Sequence, residues 1–226
     1  MGELNSALSS GKDVKLSSDI DMSNSSLKIE NNNTFDGNGY TLNSDKQVVI
    51  TTTGGTIKNL VIDGEGEPSE NGTDSKRGIF NNGENGNPKA TSDVNIENVQ
   101  FLNLGYAFNL YAVESETANL YMTDCKIQGW SSFTGFDAAF FTDCEFIRGT
   151  YHNDPLFDGA IRPYDDVTFE DCDFAQDFKI ANDLGYSITI KFKNCRYNGV
   201  LITEGNVDDL LNTPKATATT YAYVFE

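Results

Sequence analysis

The sequence predicts an all-β chain wound as a parallel β-helix, and three observations carry that expectation. The first is a repeated motif. The segments "TIKNLVI" (56–62), "NIENVQF" (95–101), "YMTDCKI" (121–127), "FFTDCEF" (140–146), "TFEDCDF" (168–174) and "KFKNCRY" (191–197) share one pattern. Each reads any residue, apolar, any residue, Asn or Asp, Leu/Val/Cys, any residue, apolar, and such self-similarity marks a repeat architecture. The second observation is irregular spacing of a fixed motif. The Asn/Asp position falls at 59, 98, 124, 143, 171 and 194, so the rungs are constant while the loops between them vary. The third is the spacing of the apolar columns, which fits neither steady strand alternation nor a helix face. A bend is needed inside each motif, and Asn and Asp are the non-glycine residues that most readily enter the left-handed region.

Three inward columns follow from that bend. Ile57, Ile96, Met122, Phe141, Phe169 and Phe192 form the first; Leu60, Val99, Cys125, Cys144, Cys172 and Cys195 the second. The third runs Ile62, Phe101, Ile127, Phe146, Phe174 and Tyr197. Successive rungs about 4.8 Å apart would stack like on like.

The other elements are expected in chain order. Leu4, Ala7 and Leu8 fall at helical spacing ahead of Gly11, predicting a cap helix over residues 1–12. "DVKLSSDIDM", "SLKIE" and "NTFDGNGYTL" alternate apolar and polar residues between turn signals and read as earlier strands, the last bending at Gly37, Asn38 and Gly39. Residues 64–78, polar and Gly-rich, read as a surface loop. Val207, Leu210 and Leu211 lie in a C-terminal capping segment, 205–226, because exposed ends of a stacked array recruit further strands. Six motif rungs and about two earlier turns give roughly eight coils in one domain, 1–226.

All four cysteines replace Leu or Val in one inward column, so they read as small buried hydrophobes. Zinc would need four converging thiolates, whereas the first and last rungs stand about 14 Å apart. A disulfide is disfavoured because parallel side chains hold the Cβ atoms about 4.8 Å apart, beyond the usual range. Asp124, Asp143 and Asp171 on consecutive rungs are expected to be solvated turn residues; pairing with Lys126 or Lys193, proton sharing and a bound calcium ion are the alternatives.

Composition narrows the function classes. The chain has 226 residues, 16 Lys and Arg against 34 Asp and Glu, and a net charge of -18. No basic stripe exists to neutralise phosphates, so a nucleic-acid partner is not expected. No apolar run reaches the length of a membrane span. The start lacks the pattern of a signal peptide, and its leading Met-Gly reads as an expression remnant, so removal of a leader is expected. Nothing in the sequence requires an oligomer, and a monomer is expected.

The stretches "ELNSALSSGKDVKLSSDIDM", "FDGNGYTL" and "GTIKNLVIDG", with the later Asn/Asp-Cys rungs, resemble the pectate lyase-like right-handed parallel β-helix superfamily over essentially the whole chain. They look most like its secreted or lipid-anchored members from Bacteroides-type bacteria. The resemblance implies right-handed winding and an extracellular or cell-surface location, but these motifs build coils and say little about chemistry. Its enzymes are lyases with an Arg or Lys base and calcium, or hydrolases with paired Asp residues and Gly-His-Gly and Arg-Ile-Lys motifs. Neither motif occurs here, and His152, the only histidine, lacks flanking glycines.

Family substrates lie along the strand ahead of each rung, here "RGIFNNG", "YAFNLYA", "WSSFTGFD" and "YHNDPLFDGAIRPYDD". In the last, Arg162 is the candidate lyase base, with Asp158 or Asp165 to hold calcium. The plainer alternative pairs Arg162 with a nearby acid and makes residues 163–166 a turn. Tyr111, Trp130, Tyr151, His152 and Tyr164, with Tyr106 nearby, are candidates to stack on or hydrogen-bond sugar rings. The leading expectation is a non-catalytic surface module that binds polysaccharide or serves adhesion. A calcium-dependent polysaccharide lyase, or a glycoside hydrolase, and a structural segment of a larger surface protein are the alternatives.

Overall fold

The computed structural model describes residues 2–22, 26–30, 32–43, 50–64, 77–81, 83, 88–149, 159–181, 187–212 and 221–226. The predicted loop 64–78 therefore lies almost wholly outside the described residues, as do Tyr151, His152 and Asp158. Among the described residues the chain is all-β apart from the helix Gly2–Ser9 and a 3-10 turn at Val207–Asp209. Its strands form three rows, each strand pairing in parallel with its counterpart one repeat later.

The first row holds Val14–Lys15, Thr34–Asp36, Asn119–Thr123, Ala138–Thr142, Val167–Glu170, Ile188–Lys193 and Tyr221–Phe225. The second holds Ile20–Asp21, Thr41–Asn43, Lys126–Gln128, Glu145–Ile147, Asp173–Phe174 and Arg196–Tyr197. Gly55–Asp63 and Val94–Leu102 run through both rows and join them as one sheet. The third row is a separate seven-stranded sheet: Leu27–Ile29, Ile50–Thr52, Arg77–Asn81, Tyr106–Tyr111, Trp130–Thr134, Ala160–Pro163 and Lys179–Ile180. Among the named strand pairs only Arg196–Tyr197 with Val200–Leu201 is antiparallel. These stacked parallel sheets are compatible with a β-helix-like fold.

The bend sits where the motif requires it. Asn59, Asn98, Asp124, Asp143, Asp171 and Asn194 have φ of 52°, 51°, 54°, 53°, 53° and 48°, all left-handed. One such residue turns the chain while the apolar positions on either side stay inward. The columns stack in the expected register: Met122 pairs with Ile96 and Phe141, Phe141 with Phe169, and Phe169 with Phe192. In the third column Ile62, Phe101, Ile127, Phe146, Phe174 and Tyr197 are consecutive partners. All members are buried except Tyr197, which is half-buried where the second row ends. The phenylalanines stack, with ring centroids 5.2 Å apart for Phe141 and Phe169 and 4.7 Å for Phe146 and Phe174.

The cysteines complete the middle column. All four are free and buried. Each thiol faces two carbonyls at its bend: Cys144 Sγ lies 3.4 Å from Thr142 O and 3.5 Å from Met122 O, and Cys195 Sγ 3.3 Å from Lys193 O and 3.2 Å from Phe169 O. Contact with Cys125 and Cys172, then burial, pushes the Cys144 thiol well up from its ordinary range. Contact with Cys172, then burial, does the same for Cys195. The sulfur is thus a packing group, and Cys144→Val should change stability by less than about 1.5 kcal/mol in urea unfolding, the usual scale for volume-conserving swaps. Release of a bound metal, or loss of folding, would contradict this role.

Outside the bend, amide side chains link Asn rungs: Asn98 Nδ2 donates to Asn59 Oδ1 and Asn59 Nδ2 to Asp36 Oδ1, both at 3.0 Å. Asn194 Nδ2 likewise donates to Asp171 Oδ1, whereas Asp124 and Asp143 carry no amide of their own; all three carboxylates are exposed. Lys126 and Lys193 pair instead with Glu145 at 3.2 Å and with Glu170 at 3.8 Å. Desolvation at the bend, then the flanking Asp124 and Asp171 carboxylates, pushes the Asp143 carboxyl up. A folded-state value above the unfolded one means stability is lost as pH rises through the carboxylate range. Asp143→Asn keeps the left-handed preference, supplies a donor and removes the repulsion, so its melting temperature should exceed wild type at pH 7 and the gain should fade near pH 3.

The ends are covered as follows. Leu8 of the helix is fully buried, and the helix packs on the strand Leu27–Ile29; Asn5 accepts from Lys28 N and donates to Ser26 O, and Asn33 Nδ2 donates to Leu8 O. Near the other end Val207, Leu210 and Leu211 are buried, and Leu211 bridges Ile180 in parallel. Residues 221–225 add a further first-row strand. Among the described residues no helix is long and apolar enough to cross a membrane.

Candidate functional site

The segments that the sequence places ahead of each rung do form one sheet, the third row. Arg77 pairs in register with Tyr106, and Tyr106 with Trp130; further along, Asn109 pairs with Ser132 and Ser132 with Arg162. Alternation sends Phe108, Ser131 and Ile161 inward and leaves Trp130, Ser132, Ala160 and Arg162 on the outer face. A register shift between Tyr106 and Phe108 re-aims the start of that strand.

On this outer face Trp130, Ala160 and Ala181 form a second apolar cluster, separate from the core, with Tyr106 packed against it. The indole thus packs against the small side chains of Ala160 and Ala181. The Arg162 guanidinium stands 4.6 Å from the Trp130 ring centroid. Trp130, a candidate to stack on sugar rings, is consequently 5% exposed. Its large ring is used to hold Arg162. Three strands before Arg162 a similar stack occurs: Arg77 lies 4.1 Å from the Phe80 ring centroid and 5.1 Å from that of Tyr106. Arg77 and Phe80 were not singled out from sequence, although both stand in "RGIFNNG", the first of the four segments. Their signal is an Arg three residues before an aromatic at a strand start, which is weak without knowledge of the neighbouring strand.

Tyr111 and Tyr164 are half-buried at the far edge of the row. Lys89 Nζ stands 5.9 Å from the Tyr111 ring, the Tyr111 N–H donates to Asn81 Oδ1 at 2.8 Å, and the Tyr164 N–H donates to Phe133 O at 3.3 Å. Asp165 has a defined local task. Its carboxylate accepts from Gly135 N at 3.2 Å and Phe136 N at 3.1 Å, closing the turn of the preceding repeat. Burial pushes its carboxyl up to about 6, against the lowering effect of those two N–H bonds, with Asp166 and Glu114 adding repulsion. The raised value means that this group's contribution to stability falls as pH rises from about 4, the ordinary carboxylate value, through about 6. In Asp165→Asn, thermal stability should fall less between pH 4 and pH 7 than in wild type.

A guanidinium is planar, carries five donors and accepts aromatic stacking, so an Arg laid on a ring offers a flat surface with in-plane N–H groups for hydroxyls or carboxylates. Among the described residues no three His, Cys, Asp or Glu side chains are grouped to hold a metal ion. The structure brings Arg162 and Trp130 together, while the Asp165 carboxylate is engaged at Gly135 and Phe136. Comparison with family models, with curated proteins and with solved structures gave no match to this chain.

Proposed function

We propose that the chain is a right-handed parallel β-helix of about eight coils, similar to pectate lyase-like proteins, that binds polysaccharide at the extracellular or cell-surface side without cleaving it. The observation that carries this reading is the pair of arginine stacks, Arg162 on Trp130 and Arg77 on Phe80 and Tyr106, on one outer sheet face. Successive strands set such groups about 4.8 Å apart per repeat, a spacing along which an extended glycan can be followed. The net charge of -18 sets this face against its surroundings: its arginines are among few cations on the chain.

A digestion screen separates this function from its alternatives. Neutral and acidic polysaccharides are incubated with the protein, with and without calcium, recording absorbance from unsaturated ends, reducing ends, and protein retained on insoluble substrate. Retention with silence in both product channels is the expected result. New absorbance that requires calcium would identify a lyase, and reducing ends alone a hydrolase; either would overturn the binding reading.

A further inference from the structure

The first position of each rung motif is an outward column on the first row: Thr56, Asn95, Tyr121, Phe140, Thr168 and Lys191 are consecutive partners. Its centre is aromatic. Tyr121 and Phe140 stack with ring centroids 5.2 Å apart and planes within 10°. Each ring therefore covers one face of the other, and the second face of Phe140 turns toward the next strand. There the column drops to the short Thr168, and a groove of about 330 Å³ opens, lined by Phe140, Asp166, Thr168, Thr189 and Lys191.

The groove has the dimensions of a single ring layer. Phe140 and Lys191 stand two strands apart, roughly 10 Å at 4.8 Å per strand, with only Thr168 between them. A flat ring set there makes two van der Waals contacts of about 3.5 to 4 Å and takes up about 7 to 8 Å of that gap. The volume lies at the low end of the range for small-ligand sites, about 300 to 1,000 Å³, which suits one sugar residue rather than a long segment. The rim supplies both polarities. Asp166 Oδ1 accepts from Thr189 N at 2.7 Å, which fixes the carboxylate at the groove edge as an acceptor. Lys191 across from it is a donor.

We infer that this slot binds one neutral pyranose ring, stacked on Phe140, with its hydroxyls donating to Asp166 and accepting from Lys191. An aromatic face takes up the C–H surface of a sugar, and a charged pair on the rim satisfies its hydroxyls. A uronate would bring its carboxylate beside Asp166 on a chain of net charge -18, so the neutral sugar is the fitting class. The site lies on a different row from the arginine stacks and stands independently of them.

The test is saturation-transfer NMR with the methyl glycosides of glucose, galactose and mannose and with methyl glucuronide. It uses wild type, Phe140→Ala, Thr168→Tyr and, as a control on another row, Lys126→Ala. Thr168→Tyr is an outward substitution by a good strand former that fills the slot and leaves Phe140 in place, so it separates blocking from misfolding. The expected result is transfer to at least one neutral glycoside by wild type and Lys126→Ala. Affinity should be at least tenfold weaker in both slot variants, and the glucuronide should bind more weakly than its neutral counterpart. No transfer from wild type, transfer unchanged in Thr168→Tyr, transfer lost in Lys126→Ala, or preference for the glucuronide would each overturn the inference.

Discussion

Phe141→Ala should lower stability by about 3 to 5 kcal/mol, the cost of removing a buried phenyl ring and leaving its cavity. Phe141 is fully buried, with ring centroids of Phe108, Phe133, Phe146 and Phe169 at 6.3, 5.8, 5.6 and 5.2 Å. It thus joins all three rows: Phe133 comes from the third, Phe146 from the second and Phe169 from the next strand of the first. Strand ladders on either side prevent the hole from collapsing, which places the cost high in the range. Urea unfolding at pH 7 reads it directly, and a loss below about 1.5 kcal/mol would mean that the column is not a packed stack.

Gly129→Ala should cost about 2 to 4 kcal/mol, because it adds a steric clash to backbone strain. Gly129 has φ of 100°, a region L side chains rarely adopt, and an added Cβ would stand 2.5 Å from the Leu104 carbonyl oxygen. That oxygen belongs to backbone and cannot swing away. The chain passes straight from Gly129 into Trp130, so the displacement reaches the indole that holds Arg162. The variant should therefore lose polysaccharide retention at temperatures where it is still folded, as read by circular dichroism alongside binding. Full retention by a folded Gly129→Ala protein would separate the turn from the site.

The fold was legible because its information is periodic. The bend at Asn59, Asn98, Asp124, Asp143, Asp171 and Asn194 and all three inward columns follow from one motif read six times. The site was legible only in part. "RGIFNNG", "YAFNLYA" and "WSSFTGFD" could be assigned to one sheet, since each precedes a rung, but burial on an outer face depends on the strand next door. Trp130 is a stacking candidate by sequence, and its burial against Ala160, Ala181 and Arg162 comes from later repeats. The bonds from Gly135 and Phe136 to Asp165 depend on the preceding repeat and are not readable from its own segment. Tyr121 and Phe140 stood in the motif position that admits any residue. Their meaning lies in being outward neighbours, with Thr168 short beside them.

Affinity electrophoresis through gels containing each polysaccharide is the most direct measurement, comparing wild type with Arg162→Ala, Arg162→Lys and Trp130→Phe. Lys keeps the charge and loses the planar fork, while Phe keeps a ring beneath the guanidinium. The account predicts retardation of wild type by at least one polysaccharide, loss of it in both Arg162 variants and partial retention in Trp130→Phe. Retardation unchanged in Arg162→Ala, with the protein folded, would contradict it.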